Sequence, residues 1–213
     1  EVIHRAHKLG YAAKMAFEYE FFIFKESPQS AMEKGYQNLI PLSPGNFGYS
    51  ALRTFAQSDL FNEFMDYCEA HGIPLEGVHC ETGPGVWEAA LSVTDTLAAA
   101  DKAARFKTLA KAFFQKRGMM ATFMAKWSMD FPGQSGHLHQ SLFHHETGQS
   151  AFYDLDQADG MSECMKQFVA GVQRHMRSLL AITAPTINSY ARLVKGAWAP
   201  TAATWGIENR TCA

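Results

Sequence analysis

Residues 14–24, Lys-Met-Ala-Phe-Glu-Tyr-Glu-Phe-Phe-Ile-Phe, surround two acids with aromatic and aliphatic side chains, a pattern that predicts a strand. Before it, residues 1–10 pattern as a short amphipathic helix closed by Gly10. Residues 25–48 carry Pro28, Gly35, Pro41, Pro44, Gly45 and Gly48 and predict a long, punctuated loop. Ser50 caps a predicted helix running to about Ala70, with Leu52, Phe55, Leu60, Phe64 and Tyr67 at core spacing and Gly72 as its stop. Residues 73–79 read as a strand. A second long helix begins at Thr94 or Asp95 and ends at Gly118, with Leu97, Ala104, Leu109 and Phe113 on its apolar face. Residues 119–125 predict another strand, and a third helix runs from about Ser162 to Leu180, ended by Pro185. The tail from Asn188 to Gly196 reads as a polar loop.

Within this frame one stretch carries candidate chemistry: His79-Cys80-Glu81-Thr82-Gly83-Pro84-Gly85-Val86-Trp87-Glu88. A Gly-Pro-Gly turn folds two short strands back on each other, so Glu81 and Glu88 are able to converge in space. Converging carboxylates repel, and their pKa values rise unless a cation neutralises them. Mg²⁺ or Mn²⁺ suits such a site, because hard divalent ions prefer oxygen ligands. A surface hairpin with two solvated acids is the plainer reading. Glu18 and Glu20 add to the case, since residues two apart share one strand face about 7 Å apart. Every neighbour from Phe21 to Phe24 is apolar, and burying unpaired carboxylates is costly.

A third place is Phe131-Pro132-Gly133-Gln134-Ser135-Gly136-His137-Leu138-His139-Gln140-Ser141. Its glycines permit close backbone approach to a ligand. His137 and His139 alternate along a strand, so their imidazoles point the same way. His144 and His145 read as solvated surface at the following turn. Arginines in the tail loops are forks suited to carboxylate and phosphate oxygens.

Composition narrows the classes. With 213 residues and 47% hydrophobic content the chain has material for one sizeable domain or two small ones. A formal net charge of −2 with scattered basic residues argues against a nucleic-acid or anionic-membrane surface. The four cysteines, Cys68, Cys80, Cys164 and Cys212, lack zinc spacing and fit reduced thiols in a cytoplasmic protein. No apolar run reaches a membrane span and no signal-peptide pattern opens the chain. Both ends break off within a pattern, so a longer parent protein is expected. The element order argues α+β with a largely antiparallel sheet.

Taken in order, Glu18-Tyr19-Glu20, Leu75-Glu76-Gly77 with the stretch from Glu81 to Glu88, Gly133 through Ser141, Asn188-Ser189-Tyr190-Ala191-Arg192-Leu193 and Asn209-Arg210-Thr211 make the chain resemble the catalytic domain of the glutamine synthetase family. The resemblance covers nearly all of residues 1–213. It implies a curved sheet forming an open barrel with helices outside, without the family's small N-terminal β-rich domain and without the C-terminal end. It implies one divalent ion, Mg²⁺ or Mn²⁺, on Glu20, Glu81 and Glu88, and a second on Glu18 and His137 with a further acid beyond Ala213. Glu76, His139, Ser141 and Arg210 match ATP-binding positions, and Gly133 and Arg192 match glutamate-binding positions, with Arg192 and Arg210 the catalytic arginines. The implied reaction joins the glutamate γ-carboxylate to ammonia or an amine at the expense of ATP, in a homo-oligomer of stacked rings. A two-metal hydrolase and a catalytically silent homologue remain the alternatives.

Two positions depart from the family pattern. Trp198 stands where classical members carry an acid that takes a proton from ammonium, and Pro132 stands where they carry an Asn. An indole at the amine entrance cannot accept that proton but can stack on an organic cation. In this the chain resembles the γ-glutamyl-polyamine and γ-glutamyl-alkylamide ligase branch.

Overall fold

The structure is a computed structural model that describes residues 1–209, 211 and 212. It comprises two compact units, one of residues 16–139 and one of residues 1–15 with 140–213. Two strands, β1 (Tyr11–Phe24) and β6 (Gly136–His144), run from one unit into the other.

Residues 16–139 are built on a mixed α+β plan around an open antiparallel sheet. β1 is its central strand. It pairs with β3 (Val86–Leu91), β4 (Thr94–Asp95), β5 (Met120–Thr122) and β6, and β2 (Leu75–Cys80) lies outside β3. Alternation along β1 divides its side chains between two clusters. Phe21 and Ile23 enter a core with Phe61, Phe64, Trp87, Phe106, Phe113 and Phe114. Phe22 and Phe24 join Ala31, Leu39 and Val86 instead. Each large apolar side chain fully buried there contributes roughly 1.5–3 kcal/mol from leaving water. Glu18 and Glu20 fall on the second parity, so the acids sit on the sheet face away from the main aromatic core.

Two helices supply that core, α4 (Ser58–Ala70) and α5 (Thr96–Gln115). The helix expected from Ser50 to Ala70 is broken: Ser50 caps a short α3 (Ala51–Ala56), and Gln57 interrupts the run before α4 begins. Leu52 and Phe55, expected in the core, therefore lie exposed on α3. On α5 the buried stripe is Ala99, Ala103, Phe106, Ala110, Phe113 and Phe114, so Leu97 and Ala104 of the expected face point outward. Small alanines hold the helix close to the sheet, which a search for large apolar residues overlooks.

The predicted loop of residues 25–48 contains α2 (Pro28–Glu33), opened by a capping box between Ser27 and Ser30. Glu26, 3% exposed, ties this segment together. It accepts hydrogen bonds from Ser30 Oγ at 2.7 Å and Ile40 N at 3.0 Å and pairs with Lys34 Nζ at 2.5 Å. Those donors, Lys34 first, pull its carboxyl down to about 2.

The unit of residues 1–15 and 140–213 holds α1 (Val2–Lys8), α6 (Glu163–Thr183) and α7 (Ile187–Arg192). Ser162 caps α6 at Met165 N and ties back to Ala151 O. His7 stacks on His145 at 4.2 Å between ring centroids. The tail expected as a loop opens with the one-and-a-half turns of α7, whose cap is Thr186 accepting from Ser189 N. None of the described helices is long and apolar enough to cross a membrane.

Candidate active site

Strand register assembles the acids. The hairpin of β2 and β3 closes on the Gly83-Pro84-Gly85 turn, where Gly85 takes a φ of +69° and packs so tightly that a Cβ would meet Ile23 O at 2.5 Å. Glycine is the residue that tolerates both conditions. Across the sheet His79 faces Glu88, and Glu88 faces Glu20, giving a transverse row on β2, β3 and β1. Glu81 and Glu88 are both buried.

The expected acids and the imidazole of His137 come together here. Glu88 stands at the centre, with its two oxygens facing different partners. Oε1 lies 3.6 Å from His137 Nδ1 and Oε2 lies 3.2 Å from His79 Nε2. His137 Nδ1 also meets Glu18 Oε2 at 2.9 Å, and His79 Nε2 lies 3.6 Å from Glu81 Oε1. Two groups of potential ligands result, Glu18 with Glu88 and His137, and His79 with Glu81 and Glu88, the ligand atoms in each within 4.8 Å of one another. Glu88 is common to both.

Three details differ from the expected division. Glu20 belongs to neither three-residue group, because its Oε2 accepts from the Ser135 amide and hydroxyl. His139 Nε2 sits 3.1 Å from Glu18 Oε2, beside the acids. His79, which residue pattern alone did not single out, sits among them with Tyr49 stacked on its ring at 5.3 Å. Its signal was strand parity: residue 79 stands two before Glu81 and so shares its face.

The electrostatics follow from these neighbours. Burial raises the carboxyl of Glu20, and the charges of Glu88 and Glu81 add to the rise against the Ser135 amide. Burial also works against ionised Glu88, but the close imidazoles of His137 and His79 prevail and hold its carboxyl at about 2. Glu88 and then Glu18 raise His137 to about 9. Buried Glu88 weighs more than nearer Glu18 because Glu18 is partly solvated. The His137 imidazole, with His79 raised in the same direction by Glu88, thus takes the place of the cations that such a carboxylate cluster calls for. His79 Nε2 is buried close to two carboxylates yet has no aligned hydrogen bond. Oxygen-rich groups with imidazole at the edge, one nitrogen left unaligned, fit a pair of hard divalent ions.

Other expected residues lie elsewhere. Glu76 is exposed on β2, five residues before Glu81 and so about 16 Å away along an extended chain, where it accepts from Val93 N at 3.5 Å. Gly133 is part-buried in the segment leading to β6. Ser141 lies exposed on β6 in the other unit. In that same unit Arg192 is buried at the end of α7 and donates through Nη1 to Ala197 O and through Nη2 to Trp198 O at 3.3 Å. Trp198 is 75% exposed and holds a φ of +53°. Arg210 lies outside the described residues.

The family model for the glutamine synthetase catalytic domain matches residues 1–213. Type-1 glutamine synthetase 2 of Dictyostelium discoideum is 44% identical over 213 residues, 100% of this chain and 41% of that protein. A glutamate–isopropylamine ligase of Pseudomonas sp is 36% identical over 211 residues, 99% of this chain and 46% of the ligase. Among solved structures, a GmaS/ADP complex superposes with a TM-score of 0.84 at 29% identity, covering 99% of this chain and 49% of that one. The chain spans less than half the length of these relatives.

Proposed function

This chain belongs to the glutamine synthetase family, and on that premise we propose that residues 1–213 form the catalytic domain of an ATP-dependent ligase joining the glutamate γ-carboxylate to ammonia or an organic amine. The observation that carries the reading is the gathering of Glu18, Glu20, Glu81 and Glu88 with His79 and His137 on one sheet face. Such a set would hold Mg²⁺ or Mn²⁺, which when bound would neutralise the phosphate oxygens of ATP.

In this reading Glu18, Glu88 and His137 would hold one ion, and His79, Glu81 and Glu88 a second. Glu20, held by the Ser135 amide, would be the further carboxylate available to an ion there. The glutamate γ-carboxylate attacks the γ-phosphorus of ATP and ADP leaves, giving an acyl phosphate. The amine nitrogen then attacks the carbonyl carbon, inorganic phosphate departs and the nitrogen gives up a proton. Glu76, His139, Ser141 and Arg210 are assigned to ATP, and Gly133 and Arg192 to glutamate. The work asked of these residues is positioning and charge neutralisation, the main demands of phosphoryl transfer.

For the nucleophile, the reading favours an organic amine. Trp198 presents an exposed indole where ammonium users need an acid, and a cation over an indole gains about 0.5–2 kcal/mol. A cytoplasmic ring-shaped homo-oligomer is the assembly proposed with it. The test is to incubate the full-length protein with glutamate, ATP and Mg²⁺ against ammonium, alkylamines and polyamines and to identify products by mass spectrometry. A γ-glutamyl amide or glutamine is expected. ATP turnover indifferent to amine and glutamate would replace the ligase by a hydrolase, and no turnover would leave a silent homologue.

A further inference from the structure

A cavity of about 370 Å³ opens in the unit of residues 16–139, sharing no residue with the acidic cluster. Its volume falls in the range of small-molecule sites and far exceeds the voids of a well-packed interior. Phe24, Leu39, Met119, Met120, Met124 and Trp127 make its lining mainly apolar. Three methionines in one wall are a pliable surface that adapts to varied ligand shapes.

Its polar side is one-signed. Lys107, Lys111 and Gln115 recur every four residues, a single stripe along α5, and Lys111 and Gln115 line the cavity. Lys107 Nζ stands 4.6 Å above the Tyr19 ring, and Lys111 Nζ lies 6.0 Å from the Phe123 ring, between the lining residues Thr122 and Met124. Neither ammonium pairs with a carboxylate among the described residues. Burial, and then the charge of Lys111, lowers the pKa of Lys107. The wall also contains Trp127 Nε1, buried with no acceptor among the described residues.

Tyr36 closes one edge. It is 62% exposed and holds a left-handed φ of +59° just after the Schellman ending of α2, where Gly35 N donates to Met32 O and Tyr36 N to Ala31 O. Backbone held in a sparsely populated region is characteristic of ligand clamps. The Glu26–Lys34 pair and the Ile40 amide fix this segment from behind.

We propose that this cavity is a second binding site, separate from the acidic cluster, for a small aromatic or aliphatic carboxylic acid, with the apolar body among the methionines and Trp127 and the carboxylate at Lys111. An exposed ion pair is modest in strength, so the carboxylate should improve binding roughly threefold to tenfold over a neutral analogue.

The probes are 2-naphthoate and its neutral counterpart 2-naphthylmethanol, titrated into the full-length protein by calorimetry and saturation-transfer NMR. Naphthoate should bind the more tightly. Lys111→Gln should remove the difference between the two and leave naphthylmethanol unchanged. Met124→Trp, at a partly exposed wall position, should weaken both probes while the melting temperature holds. Saturating glutamate should not displace either probe. Equal affinity for the two probes, indifference to Lys111→Gln, displacement by glutamate, or no binding by about 1 mM would each overturn the proposal.

Discussion

Glu20 on β1 and Glu88 on β3 stand directly opposite each other in an antiparallel pair. Like charges in that relationship are destabilising, and here the pair is also largely withdrawn from water. The sheet accommodates it by giving each acid a different remedy. Glu88 receives two imidazoles, and Glu20 receives a backbone amide and keeps a raised pKa. An arrangement that costs the apoprotein stability is one that a divalent cation relieves.

That relief is measurable. Glu88→Gln removes the carboxylate common to both ligand groups and should weaken Mn²⁺ binding by about a hundredfold, read by calorimetry on the full-length protein. His79→Ala should cost about tenfold. Were His79 only a packing partner of Tyr49, the variant would melt lower with unchanged Mn²⁺ affinity.

The metal-free protein should have a stability optimum in mildly acid solution. Glu88, lowered from 4.5 to about 2, contributes stability that is present above 4.5 and lost as pH falls through about 2. His137, raised from 6.5 to about 9, contributes stability that is present below 6.5 and lost as pH rises through about 9. Glu20 runs against Glu88, since a raised carboxyl loses stability as pH climbs above 4.5. Denaturation with a chelator present should therefore show a maximum between about 4.5 and 6.5. With Mg²⁺ the added stabilisation should grow from pH 6.5 to 9, as ions replace the proton on His137. A flat chelated profile across that range would remove the imidazoles from the cluster's electrostatics.

Gly85→Ala should destabilise the protein by about 2 kcal/mol or more in urea denaturation, because the added Cβ meets a strand carbonyl and the backbone is left-handed. Mn²⁺ affinity should fall with it, since the same turn sets the register that brings Glu81 beside Glu88. A change within about 0.5 kcal/mol would mean the turn relaxes freely.

Much of this was legible in the chain. Alternation puts Glu18 and Glu20 on one face of their strand and His137 with His139 on one face of theirs, and the Gly-Pro-Gly turn foretells the hairpin, because period and turn chemistry are local properties. His79 was missed because its role depends on register with β3, which no local pattern states. Helical spacing points Leu52, Phe55 and Leu97 to the core, yet the break at Gln57 and the close approach of α5 through Ala99, Ala103 and Ala110 turn them outward. The helix at Pro28 hid behind its prolines and glycines, although Ser27 and Ser30 form a capping box. The bond from Arg192 to the carbonyls of Ala197 and Trp198 was likewise beyond reach of the sequence, being a tertiary contact of a buried guanidinium.

Trp198 supplies the prediction on specificity. Trp198→Glu should raise glutamine formation from ammonium at least tenfold relative to amide formation from an alkylamine, read as the ratio of kcat/KM values in the full-length protein. An unchanged ratio would make the indole a loop anchor rather than part of the amine entrance.

The most direct measurement is ADP release by full-length protein in Mg²⁺ with and without glutamate and an amine, for wild type and Glu88→Gln side by side. The account predicts release that requires both co-substrates in the wild type and falls at least a hundredfold in Glu88→Gln, with the fold intact by circular dichroism. Release that ignores glutamate, or a Glu88→Gln protein as active as the wild type, would contradict it.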